Sequence, residues 1–270
     1  MNIRKTLLCV TLGLAVSAAT LAQEAVPPDR SLASGEYVEA GLPSKDRVWS
    51  GDDLATAAEA LARLAESEPG HLPRFESPRS GEVFARLTTA ENLKISADES
   101  LPLGVRFPQA IAHLKATSEL LKVYLGSYLK KATGTGEMVE LMGSQLRSTR
   151  TLLRLVDEQL PTLDPNAADY QTRMAGLDQM RHGLATMVAG VLTSASDREG
   201  LSPALRLRLV GYLDAELPAM IPYLTADSRA EAVRRLETLA GGDEPEELKA
   251  ALAQLLGKAK EAATAKAVPE

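Results

Sequence analysis

Between Phe107 and Val191, apolar residues return at alternating intervals of four and three. This is the rhythm of amphipathic helices that keep one face turned inward. It predicts three long helices. The first covers residues 105–132, with Phe107, Ile111, Leu114, Ser118, Leu121, Leu125 and Tyr128 on its seam. The second covers 137–160, with Met138, Met142, Gln145, Thr149, Leu152 and Val156. The third covers 166–195, with Tyr170, Met174, Leu177, Arg181, Leu184, Val188 and Val191. At 1.5 Å per residue each is roughly 36 to 45 Å long. The connectors are short: Thr133-Gly134-Thr135-Gly136, then 161–165, where Asp164 reads as a cap and Pro165 as the first helical residue. Short loops between long helices make neighbours antiparallel.

Shorter helices flank these three. Ser50 and Asp53 have capping-box spacing and open a helix whose stripe is Leu54, Ala57, Ala58, Leu61, Leu64 and Ala65, stopped by Pro69-Gly70. Residues 71–103 read as irregular apart from a short helix over 80–87 with Val83, Phe84 and Leu87. Past residue 197, Ser202-Pro203 opens a helix expected to end at Leu217, before Pro218, with a turn over 219–224. Ser228 and Glu231 read as the box of the next helix, which runs to Ala240 and stops at Gly241-Gly242. Asp243, Glu244, Glu246 and Glu247 then load the start of the last helix with charge that suits its dipole. No stretch alternates with a period of two. The expected fold class is all-α: an antiparallel helical bundle built on three long helices, with shorter helices at both ends and no sheet.

The chain opens with Arg4 and Lys5, an apolar run over 7–15 and small residues ending in Thr20-Leu21-Ala22, the layout of a secretory signal peptide. Cleavage is expected after Ala22, or else after Ala18. The apolar run, broken by Thr11, Gly13 and Ser17, falls short of the about 20 residues that a spanning helix needs. The expected organisation is a signal peptide over 1–22, a Pro- and Gly-rich strap over 23–50, the helical bundle over 51–197, C-terminal helices over 198–262 and a tail over 263–270.

Export changes how the composition reads. Cys9 lies in the signal, so the mature chain has no disulfide, thiolate metal site or cysteine nucleophile. Such a chain fits a bacterial envelope, periplasmic or secreted. The formal charge is −6, and removing Arg4 and Lys5 makes it −8 (−6 − 2). An acidic chain with 4% aromatic residues has no electrostatic pull towards nucleic acid and few rings to stack bases. Beyond the signal no apolar run is long enough to span a membrane.

Candidate chemistry is thin. His71, His113 and His182 form no ligand pair, and a buried histidine with one hydrogen bond is preferred over a haem or metal ligand. Met138, Met142, Met174, Met180 and Met187 could suggest copper but read better as core filler. Gly176, Gly183 and Gly190 recur every seven residues inside the third helix, where each costs about 1 kcal/mol relative to alanine. They read either as a groove for a partner or, preferably, as a close approach by another helix of the same chain. Arg147, Arg150 and Arg154 line one side of the second helix and are weak partner-binding candidates, with a solvated face including an Arg154–Glu158 pair as the plainer reading. Trp49 is expected to staple the strap to the bundle, with a partner contact as the lesser alternative. Ser127 and Lys130 have the Ser-x-x-Lys spacing of penicillin-recognising enzymes but sit late in a helix of a sheetless chain. No catalytic residue, cofactor or metal is expected. The expected function is non-catalytic: an exported helical protein that binds another envelope protein or assists envelope assembly. The alternative is a bundle that binds a small molecule, haem or metal.

Overall fold

The computed structural model describes residues 31, 36, 41–44, 47–131 and 134–264. The segment expected to be a signal peptide, most of the expected strap and the end of the expected tail lie outside these residues. The described residues are helical and include no strand. The elements are α1 (Gly51–Ser67), α2 (Gly81–Thr88), α3 (Lys94–Ala97), α4 (Leu103–Lys131), α5 (Thr135–Gln159), α6 (Tyr170–Ser196), α7 (Pro203–Met220), α8 (Ala226–Ala240) and α9 (Glu246–Thr264).

The capping box at α1 forms as expected: Ser50 Oγ accepts from the Asp53 backbone N–H, and the Asp53 carboxylate accepts from that of Ser50. Four other expectations fail at helix ends. Asp164 accepts from the Asn166 backbone in a local turn, and α6 begins later, at Tyr170. Pro218 does not end α7, which runs on to Met220. A proline that near the C-terminus of a helix forfeits one backbone bond while burial of Leu217 and Met220 holds the turn. Thr225, rather than Ser228, caps α8. Glu244 precedes α9 and serves a buried ion pair instead of its dipole.

α4 and α5 pair antiparallel: Arg106 bonds Glu158, His113 bonds Ser148, and Ser118 bonds Gln145. α4 also packs on α1, so its buried face is wider than the expected seam. Ala110, His113, Ala116, Thr117, Leu120 and Tyr124 are buried, whereas Phe107, Ile111 and Leu114 are only half-buried. Small residues win these positions because α1 comes so near. A Cβ on Gly51 would stand 2.7 Å from the Gln109 carbonyl oxygen and 2.8 Å from Ala112 Cβ.

α5 and α7 run side by side in the same direction, as Glu140 with Tyr212, Arg150 with Glu216 and Leu153 with Tyr223 show. α6 packs chiefly on α7 and α8, reaching α4 and α5 through Met180 and Met187. Of the expected seam of α6, Leu177, Arg181, Leu184, Val188 and Val191 are buried, whereas Tyr170 and Met174 at its start are only half-buried.

Two main cores result, and α5 serves both. Trp49, Leu54, Leu61, Phe84, Leu87 and Leu120 form one with Leu141 of α5. Leu192, Leu209, Leu213, Leu236, Leu252 and Leu255 form the other with Val139, Leu146 and Leu153 of α5. A smaller cluster joins Ala110 to Leu152 and Leu155. Burying a leucine is worth about 1.5–3 kcal/mol, so these three rows make α5 the helix on which both cores depend. The second core is tied further by Arg206, which is 3% exposed and donates to both oxygens of Glu244 at 2.7 Å.

Candidate functional site

The glycines of α6 are where the structure departs furthest from expectation. A Cβ built on Gly176, Gly183 or Gly190 would meet no atom within 4 Å. The preferred reading, a close approach by a helix of the same chain, is therefore overturned among the described residues. The reason is angular. Each glycine immediately precedes a buried residue, Leu177, Leu184 or Val191, and so sits about 100° round the helix from it. α7 and α8 occupy the buried side.

The glycines belong to a longer outward face with Gln179, His182 and Thr186, all exposed. From His182 to Ser196 the helix carries no Asp, Glu, Lys or Arg, in a chain where those make up 24% of residues. Solvated helix faces are normally charged, so an outward face of Gly, Ala, Thr and Gln is unusual here. At its C-terminal end Arg235 of α8 donates to the Ala189 carbonyl and to Thr193 Oγ1, at 3.4 and 3.2 Å. This frames the strip without covering it.

A second feature lies at the heads of α5 and α7. A cavity of about 350 Å³ is lined by Phe75, Glu76, Thr135, Glu137, Leu205 and Arg208, together with small residues of both helix starts. Gly134, at φ +95°, turns the chain into α5, and Gly136 lets the Phe75 ring lie against the helix. Glu137 is 7% exposed and accepts from the Phe75 backbone N–H at 2.6 Å. Burial pushes its carboxyl above the usual range, against backbone N–H bonds and the charge of Arg74, which pull it down. It has no ion-pair partner among the described residues. The Arg208 guanidinium lies 4.7 Å from the Phe75 ring centroid and pairs with Glu140 at 3.2 Å and Glu76 at 3.6 Å. Tyr212 donates to Glu140 at 2.7 Å, and burial first, then that carboxylate, push its hydroxyl up to about 12. Glu76 holds φ +60°, a conformation that costs a non-glycine residue about 1 kcal/mol or more.

The residues singled out from sequence sit elsewhere. Arg147 donates to the Thr88 carbonyl at 2.7 Å and stacks on Tyr212; Arg150 pairs with Glu216; Arg154 reaches the Ala97 carbonyl and Glu99. Together they tie α5 to α2, α3 and α7. Glu158, the anticipated partner of Arg154, pairs with Arg106 instead. Trp49 is 0% exposed and donates from Nε1 to the Ser44 carbonyl at 2.8 Å, which leaves it no surface for a partner. His182 is exposed and bonds its own helix, while His71 pairs with Glu68. Met142, Met180 and Met187 pack against the C-terminal core and Met138 against the N-terminal one. Ser127 and Lys130 fall within α4, far from its start. Among the described residues no three His, Cys, Asp or Glu side chains are grouped to hold a metal. No described helix is long and apolar enough to cross a membrane.

His113 is buried between α4 and α5, with Nδ1 2.7 Å from Ser148 Oγ. Ser148 Oγ donates to the Ser144 carbonyl, which assigns the ring proton to Nδ1. Nε2 is buried with no partner. Burial first, then the charge of Arg147, lower the imidazole from 6.5 to about 4. Sequence could not have found this pair: the two residues are 35 apart and meet only because the helices do.

No protein-family model, curated protein or solved structure matches the chain.

Proposed function

We propose that this is an exported, non-catalytic protein of the bacterial envelope that binds another protein through the outward face of α6. The supporting observation is that Gly183 and Gly190 lie open on a charge-free stretch of helix, 182–196. Three outward glycines weaken α6 by about 1 kcal/mol each, a cost that a partner helix packing backbone against backbone would offset. The absence of charge means that such a partner has no ions to strip of water. Thr186 and Gln179 offer hydrogen bonds at the rim. The partner suited to this face is a helix whose own contact side is uncharged and small or apolar.

The test is affinity capture from the native envelope with the full chain and with Gly183→Leu. Open space at Gly183 means that the substitution leaves thermal unfolding unchanged or slightly raised. A stoichiometric partner retained by the parent chain and lost by the variant is the expected result. Absence of any stoichiometric partner, or capture indifferent to Gly183→Leu, refutes the proposal.

A further inference from the structure

We propose that the Asp164–Pro165 peptide bond, in the connector between α5 and α6, is a self-cleavage site. The turn around it promotes acid-dependent scission of the protein into two chains. This inference does not rest on the α6 reading.

This is the only Asp–Pro bond in the sequence. Two chemical features set such a bond apart. The aspartate carboxylate can reach its own carbonyl carbon through a five-membered ring, and the proline nitrogen departs as a basic secondary amine. Here the fold adds to both. The Ala167 backbone N–H donates to the Asp164 carbonyl oxygen at 3.0 Å, the atom on which negative charge gathers when that carbonyl is attacked. The backbone N–H and side-chain amide of Asn166 donate to Asp164 Oδ1 at 2.9 and 3.3 Å, which restricts the carboxylate's rotation. Oδ2 accepts no hydrogen bond among the described residues and is left as the nucleophile. Residues 164–169 are all exposed, so protons and water reach the bond freely.

In the first step Oδ2 bonds to the Asp164 carbonyl carbon and the bond from that carbon to the Pro165 nitrogen breaks. The electron pair stays on nitrogen, which takes one proton from solvent as it leaves and a second once free. Water then opens the cyclic anhydride to two carboxylates and returns two protons, so the net reaction consumes one water. The need to protonate the leaving nitrogen makes the step faster in acid. The products are a chain ending at Asp164 and one beginning at Pro165, and α6 loses its covalent tie to α5.

The experiment follows the full chain by intact mass over several days at pH 5 and pH 7, and at pH 5 in guanidinium chloride. Two products are expected, with masses that sum to the parent's plus one water. The folded chain at pH 5 should form them about tenfold or more faster than the denatured chain, which lacks the turn, and faster than the folded chain at pH 7. Asp164→Asn keeps an acceptor for the Asn166 N–H but removes the nucleophile, and Pro165→Ala replaces the leaving group. Both positions are exposed, so each variant should keep its unfolding midpoint and lose the products. The proposal is overturned by no scission at this bond, by scission as fast in denaturant as in the folded chain, or by scission that persists in Asp164→Asn.

Discussion

Acidification should loosen the α4–α5 interface through His113, beginning below pH 6.5. The imidazole titrates near 6.5 in an unfolded chain and near 4 in its buried place. Above pH 6.5 the ring is neutral in both states, and the stability of the interface is intact. Below it, the unfolded chain takes a proton that the folded chain refuses, because the only free nitrogen, Nε2, is buried without an acceptor. Stability is therefore lost as pH falls from 6.5 to about 4. At about 1.36 kcal/mol per pH unit the loss is about 2 kcal/mol by pH 5 and about 3 kcal/mol in full. Asp53, Asp98, Glu158 and Glu244, whose carboxyls are held below their ordinary range, add a loss of the same sign only below the unfolded carboxylate range. Glu137, whose carboxyl is raised, contributes the opposite slope. The comparison that isolates the ring is urea unfolding, followed by circular dichroism at pH 7 and pH 5, for the parent chain and His113→Gln. The variant should lose most of the pH dependence whatever its absolute stability. Equal pH dependence in the two proteins would refute the assignment of that slope to His113.

The two classes of glycine should behave oppositely. Gly143→Ala would place a Cβ 2.5 Å from the Tyr212 ring and should destabilise by about 1–3 kcal/mol, a penalty that disappears in a Tyr212→Leu background. Gly183→Ala, facing open space, should stabilise by up to about 1 kcal/mol in the same denaturant assay. Glu244→Gln strands the buried Arg206 guanidinium and should cost about 3 kcal/mol. Trp49, the only tryptophan, should emit at short wavelength and resist acrylamide quenching until the N-terminal core opens.

What could be read from the sequence follows how many neighbours each helix has. α6 has neighbours on one side, so its stripe of Leu177, Arg181, Leu184, Val188 and Val191 was legible, a buried arginine included. α4 lies between α1 and α5, and periodicity picks out one face when two are buried. That is why His113, Thr117 and Ala116 were missed in favour of Phe107 and Ile111. α5 buries Glu137, Glu140, Ser144 and Ser148, polar residues that pattern reading assigns to solvent. The direction of the glycine strip was written in the chain, since Leu177, Leu184 and Val191 mark the buried side one residue on. The cavity at the heads of α5 and α7 was not. Its walls come from segments near 75, 135 and 205, and only the parallel course of α5 and α7 brings them together.

Because α5 lends rows of side chains to both cores, the molecule resists division. A fragment ending within 160–169 would present Val139, Leu146 and Leu153 to water, and its complement would lack the wall against which Leu209 and Leu213 rest. A protease that nicks that connector should leave the two pieces bound to each other, to be parted only by denaturant. Fusions and tags belong after α9, never between the halves.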